Sequence, residues 1–143
     1  MGPVKNLLLL LVCLFAFLAG CSSTEMLIEA AKRSDGEQVT KLLGENADIN
    51  GKNEKGSTAL MLAAYYGHTE VVTQLIDAGA DVHEQDNSGW TALVYAVWNR
   101  KPAVIPMLIE SGADVEAEVY AGKTVLEHAQ ERNLGDIVKL LRK

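Results

Sequence analysis

Residues 56–82 read GSTALMLAAYYGHTEVVTQLIDAGADV, and this stretch decides the fold. Leu60, Ala63 and Ala64 stand at i, i+3 and i+4, one face of a helix. Val71, Val72, Leu75 and Ile76 form a similar face on a second short helix. Thr58 precedes the first run, where its hydroxyl can accept from a free backbone N–H two or three residues on. Gly67 ends that helix at a point that needs a left-handed residue, and Gly79 ends the second. Alanine at 63 and 64 leaves room for a neighbouring helix to approach closely. One such pair buries too little apolar surface to fold alone, so its stability must come from neighbours.

The rest of the chain supplies them. Gly56, Gly89 and Gly122 are spaced by 33 residues, and so are Thr58, Thr91 and Thr124. Leu27, Leu60, Leu93 and Leu126 form a series of four, as do Ala30, Ala63, Ala96 and Ala129. Val39, Val72, Ile105 and Val138 match in kind, and Leu42, Leu75, Leu108 and Leu141 match in identity. Ala47-Asp48, Ala80-Asp81 and Ala113-Asp114 recur at the same offset, with Asn46 and Gly112 standing where Gly79 does. A fixed period of this length marks stacked supersecondary units.

The unit resembles the ankyrin repeat, over nearly all of residues 25–143. The resemblance implies an all-α solenoid of about four helix–turn–helix units with hairpin-like loops projecting to one side. The units are 25–55, 56–88, 89–121 and 122–143, with helix pairs over roughly 25–43, 57–77, 90–110 and 123–142. There are departures. The family's Thr-Pro-Leu-His becomes Thr58-Ala-Leu-Met, Thr91-Ala-Leu-Val and Thr124-Val-Leu-Glu, so the histidine that knits backbone between units is absent. Thr124 and Glu127 make a capping box instead. Pro102 suits a first helical position, whereas the Pro106 ring blocks a bond to the carbonyl at 102. That predicts a kinked or late-starting helix, and Arg100 stands where glycine is usual. The third unit is therefore the expected point of distortion. In the last unit Gln130 and Glu131 replace inner apolar and aromatic positions. Lys139, Arg142 and Lys143 there suit the helix dipole and a solvated end.

The N-terminus reads as an address. Lys5 is the only charged side chain before Glu25, and Leu7 to Ala19 is an unbroken apolar run. That is shorter than the roughly 20 residues that span a bilayer, and it fits the core of a secretory signal peptide. The alternative is an uncleaved anchor. Leu18-Ala19-Gly20-Cys21 resembles the lipobox of bacterial lipoproteins. This second resemblance implies removal of residues 1–20, lipidation of Cys21 and a short tether over 21–24. Ser22 after the lipid cysteine points to the outer membrane, facing the periplasm, if the host has two membranes. Cys13 would leave with the leader and Cys21 would carry lipid. No thiol would remain for catalysis or redox switching.

Composition narrows the function. The 143 residues are 48% hydrophobic and 22% charged, a globular balance. A net charge of −6 argues against a nucleic-acid binder, which needs a basic stripe. Two cysteines cannot build a disulfide framework or a four-cysteine metal site. His68, His83 and His128 show neither metal spacing nor a triad order, and read as capping or solvated side chains. Asp81, Glu84, Asp86, Asp114, Glu116 and Glu118 make the loops acidic, which favours a partner with a basic patch. No phosphate loop, dinucleotide fingerprint or calcium loop is present. No catalytic residue, metal, cofactor or small-molecule substrate is expected.

Two tryptophans and four tyrosines carry the binding signal. The ankyrin resemblance places partners at loop tips, after the repeat's glycine and at the end of the first helix. Tyr65, Tyr66, Trp98 and Asn99 match the helix ends, Trp90 follows Gly89, and Tyr120 lies at a loop tip. Only Tyr95 maps toward the core. Trp and Tyr are enriched in binding hot spots, and Lys55, Lys123 and Arg132 are polar neighbours. Packing between loops and helices is the competing use of these rings. The expected function is non-catalytic protein binding in the bacterial cell envelope, as scaffold or regulator of a partner protein. The alternatives are an immunity protein that neutralises a periplasm-acting toxin and, from a different class, an enzyme.

Overall fold

The computed structural model describes residues 22–142. The leader and Cys21 lie outside the described residues. Within them the chain runs α1 (Ser23–Lys32), α2 (Gly36–Gly44), α3 (Ala59–Tyr66), α4 (Thr69–Asp77), α5 (Ala92–Trp98) and α6 (Ile105–Glu110). A short hairpin, β1 (Glu118–Tyr120) and β2 (Lys123–Thr124), precedes α7 (Val125–Glu131) and α8 (Gly135–Leu141). No helix among the described residues is long and apolar enough to cross a membrane.

A hydroxyl starts the first helix of every pair. Thr58, Thr91 and Thr124 accept from the backbone N–H three residues on, and Ser22 does the same for α1. Ser22 with Glu25 and Thr124 with Glu127 close full capping boxes. Gly67 closes α3 at φ 79°, its N–H and that of His68 both donating to the Ala63 carbonyl at 2.9 Å.

The capped helices α1, α3, α5 and α7 stack side by side as an inner row. The 33-residue columns become the core: Leu27, Leu60, Leu93, Ala63 and Ala96 are all sealed, as are Val39, Val72 and Ile105. In the last unit Ala129 is still sealed, but two of these columns are less covered. Leu126 and Val138 are only half-buried, because no further unit packs on them among the described residues.

The third unit is distorted, and its cause is local. Pro102 lies in a turn and not at a helix start, which corrects that expectation. α6 begins late, with Pro106 in its first turn, where the missing N–H has no partner to lose. Arg100 adopts the left-handed conformation at φ 54°, the place Gly67 fills one unit earlier. The loops differ too. Asn53 and Asp86, one period apart, each accept two backbone N–H groups through Oδ1 and fold matching turns. The equivalent position is Val119, which cannot do this. There the chain forms the hairpin instead, with Ala121 at φ 52° and Gly122 at φ 73° between paired Tyr120 and Lys123. Two consecutive positive φ values make the two-residue turn that matches strand twist.

Candidate protein-binding face

The rings of the inner helix ends and loops touch one another in a single row. Tyr66 and Tyr65 meet at 4.8 Å between centroids, Tyr65 and Tyr95 at 5.9 Å, and Tyr95 and Trp90 at 5.3 Å. Trp90 and Trp98 follow at 5.0 Å, then Trp98 and Tyr120 at 6.0 Å. Most of these contacts are edge-to-face, the arrangement ring quadrupoles favour. The row runs through the second and third units, and His128 of the fourth stacks on its Trp98.

Its ends are open and its middle is not. Tyr65 is 37%, Tyr66 42% and Tyr120 49% exposed, whereas Trp90, Tyr95 and Trp98 are half-buried and packed on the core. Tyr95 packs on the core as expected and also bridges Tyr65 to Trp90 within the row. One expectation needs correcting here. Trp90 and Trp98, expected as exposed anchors, are partly taken up by packing between units. The Trp90 indole N–H donates to the Val119 carbonyl at 2.6 Å, tying the third unit to the next loop. The Tyr95 hydroxyl donates to Asp86 Oδ2 at 2.5 Å, while the other oxygen of Asp86 holds Ser88 and Trp90 backbone N–H groups at 2.8 and 2.9 Å. Burial and the facing carboxylate push the Tyr95 phenol up to about 12.

The polar candidates divide between the two ends. Exposed Lys55 joins Tyr65, Tyr66 and Tyr95 around a groove of about 550 Å³, completed by Ile28, Leu62, Glu25, Glu29, Lys32 and Glu54. At the far end Lys123 pairs with Glu131 at 2.7 Å and stands 5.8 Å from the Tyr120 ring, and Arg132 stands 5.8 Å from the Trp98 ring. The bond to Glu131 holds Lys123 above the usual lysine range. Asn99 serves its own helix, its side-chain amide donating to the Tyr95 carbonyl at 2.9 Å. Beside Tyr120 a second groove of about 680 Å³ carries Asp114, Glu116 and Glu118.

His83 is exposed as expected, but the other two histidines depart from their expected roles. His68 makes no side-chain cap bond. It lies 5.7 Å from Tyr66, and its Nε2 donates to the Lys32 carbonyl of the first unit at 3.0 Å. A histidine therefore does knit neighbouring units, from a different position in the repeat. His128 is not solvated: it is buried and stacked on Trp98 at 4.5 Å. The repeat offset carried that signal, because position 128 falls in the column of Leu62 and Tyr95. Ile28, Glu25 and Glu29 were missed for lack of an aromatic to mark them. No group of three or more His, Asp or Glu among the described residues is arranged to hold a metal ion.

Stacked, capped helix pairs with stitched loops and an open row of rings define a repeat protein that meets partners across a surface. The family model for ankyrin repeats (3 copies) matches residues 27–119, and the chain belongs to that family. α7 and α8 lie beyond the matched stretch. No curated protein matches the chain. Ankyrin repeats are protein–protein interaction modules, and proteins built from them are generally non-catalytic.

Proposed function

We propose that this protein is a non-catalytic scaffold or regulator that holds a partner protein at the bacterial cell envelope, anchored by lipid on Cys21. The observation that supports binding is the exposure of Tyr65 and Tyr66 beside a groove, with Tyr120 exposed at the other end of one ring row. Tyrosine buries large area with few rotors to freeze, so exposed pairs of this kind suit a contact surface. Glu54, Glu116 and Glu118 near the two ends favour a partner with a basic patch and speed its approach. The lipobox-like Leu18-Ala19-Gly20-Cys21 supports the address, and Ser22 supports the outer membrane, facing the periplasm.

A photo-crosslinking residue at position 66 tests the face, with position 73 on the outer surface of α4 as control. The expected result is one protein adduct from 66 and none from 73, in membrane fractions. Equal labelling from both positions would reject the face. Cys21→Ser should in parallel release the chain from membranes or leave it unprocessed, and unchanged fractionation would reject the anchor.

A further inference from the structure

Two buried side-chain polar atoms among the described residues lack a hydrogen-bond partner, Gln74 Oε1 and His128 Nε2. Only the second can titrate. His128 is 3% exposed, and its ring lies on the Trp98 face at 4.5 Å with 9° between planes. Tyr120 closes over it edge-on at 6.2 Å.

The charges around this ring are few. α5 brings no charged side chain, and its Tyr95 hydroxyl is held by Asp86. β1 brings Tyr120 and exposed Glu118. β2 brings Lys123, and the end of α7 brings Glu131 and Arg132. Glu127 is turned back onto the Thr124 N–H, and on α8 Asp136 and Lys139 are exposed. The one nearby carboxylate that favours a charged imidazole, Glu131, is held by Lys123 at 2.7 Å.

We propose that the His128–Trp98 stack is an acid-released latch that holds the last unit against the third. A neutral imidazole fits the site. An imidazolium must place two N–H donors, and Nε2 has no acceptor to reach. The Trp98 face gives it little compensation, because Arg132 already stands 5.8 Å from that ring. Protonation therefore drives the ring toward water and takes α7 and the Tyr120 hairpin off Trp98. Among the described residues this unit packs on a single neighbour, so it opens at less cost than an inner unit. Burial first, and Arg132 second, hold His128 below the ordinary histidine value. Its stabilisation is thus complete above about pH 6.5 and is lost as pH falls below that. The latch rests on its own geometry and not on the partner the ring row takes.

The test is urea unfolding of the full-length chain between pH 7.5 and 5.5, for wild type and His128→Phe, with His68→Gln as control. The wild-type unfolding constant should rise several-fold, by at most about tenfold per pH unit. His128→Phe should flatten that rise and His68→Gln should keep it. An equal rise in His128→Phe, or none in the wild type, overturns the latch. Ring-proton NMR of the wild type gives a second reading that needs no variant. One of the three histidines should stay neutral below the others, with Trp98 signals changing as it titrates. Three ordinary titrations would overturn the proposal.

Discussion

At the residue scale, one carboxylate organises the middle of the ring row. Asp86 holds its own turn through one oxygen and the Tyr95 hydroxyl through the other. Tyr95 must stay protonated to donate, and its phenol is raised from the usual 10 to about 12. The contribution is therefore present below about pH 10 and is lost as pH climbs toward 12. A spectroscopic titration of tyrosine should show one phenol ionising later than the rest, and Tyr95→Phe should remove that late step. Ionisation of every tyrosine near pH 10 would contradict the Asp86 bond. Position 95 was legible as a core-facing column, but its partner was not. A repeat offset aligns residues of one column and says nothing about which loop residue reaches across. The same limit hid the packing of Trp90 and Trp98, whereas the burial of His128 was there to be read in the column of Leu62 and Tyr95.

At the scale of elements, the inner helices were the most legible, because capping threonines and apolar columns recur at one spacing. The late start of α6 was also in the sequence, in the clash between the Pro106 ring and the carbonyl at 102. The hairpin was not. β1 and β2 are too short to show alternation, and the cue is a single substitution, Val119 in the column of Asn53 and Asp86. Its turn places Ala121 at φ 52°, a conformation that asparagine tolerates better than alanine. Ala121→Asn should therefore stabilise the chain by about 0.5–1 kcal/mol, read by denaturant midpoint, because Asn-Gly is the preferred pair for this turn. Destabilisation by that change would mean the turn is not of this type. The Trp90–Val119 hydrogen bond ties the Tyr120 hairpin back to the start of α5, beside its own strand pairing.

At the scale of the molecule, the stack converts a sequence period into a surface. Each unit contributes little area alone, and rings from three units line up only because the inner helices stack in register. The family match ends at residue 119, yet the row continues past it through Tyr120 and, in the last unit, His128 stacked on Trp98. The rings divide into two jobs: Trp90, Trp98 and Tyr95 are taken up by packing, and Tyr65, Tyr66 and Tyr120 remain open. The paired readout that tests this division most directly is a thermal melt and a binding assay, against the crosslinked partner, on two variants. Tyr65→Ala/Tyr66→Ala should weaken binding by about thirtyfold or more while the melt moves little. Trp98→Ala should lose about 2–3 kcal/mol of stability, below the full cost of a sealed ring because Trp98 is half-buried. A tyrosine double variant that binds as well as the parent, or a Trp98→Ala chain that melts with it, would contradict the account.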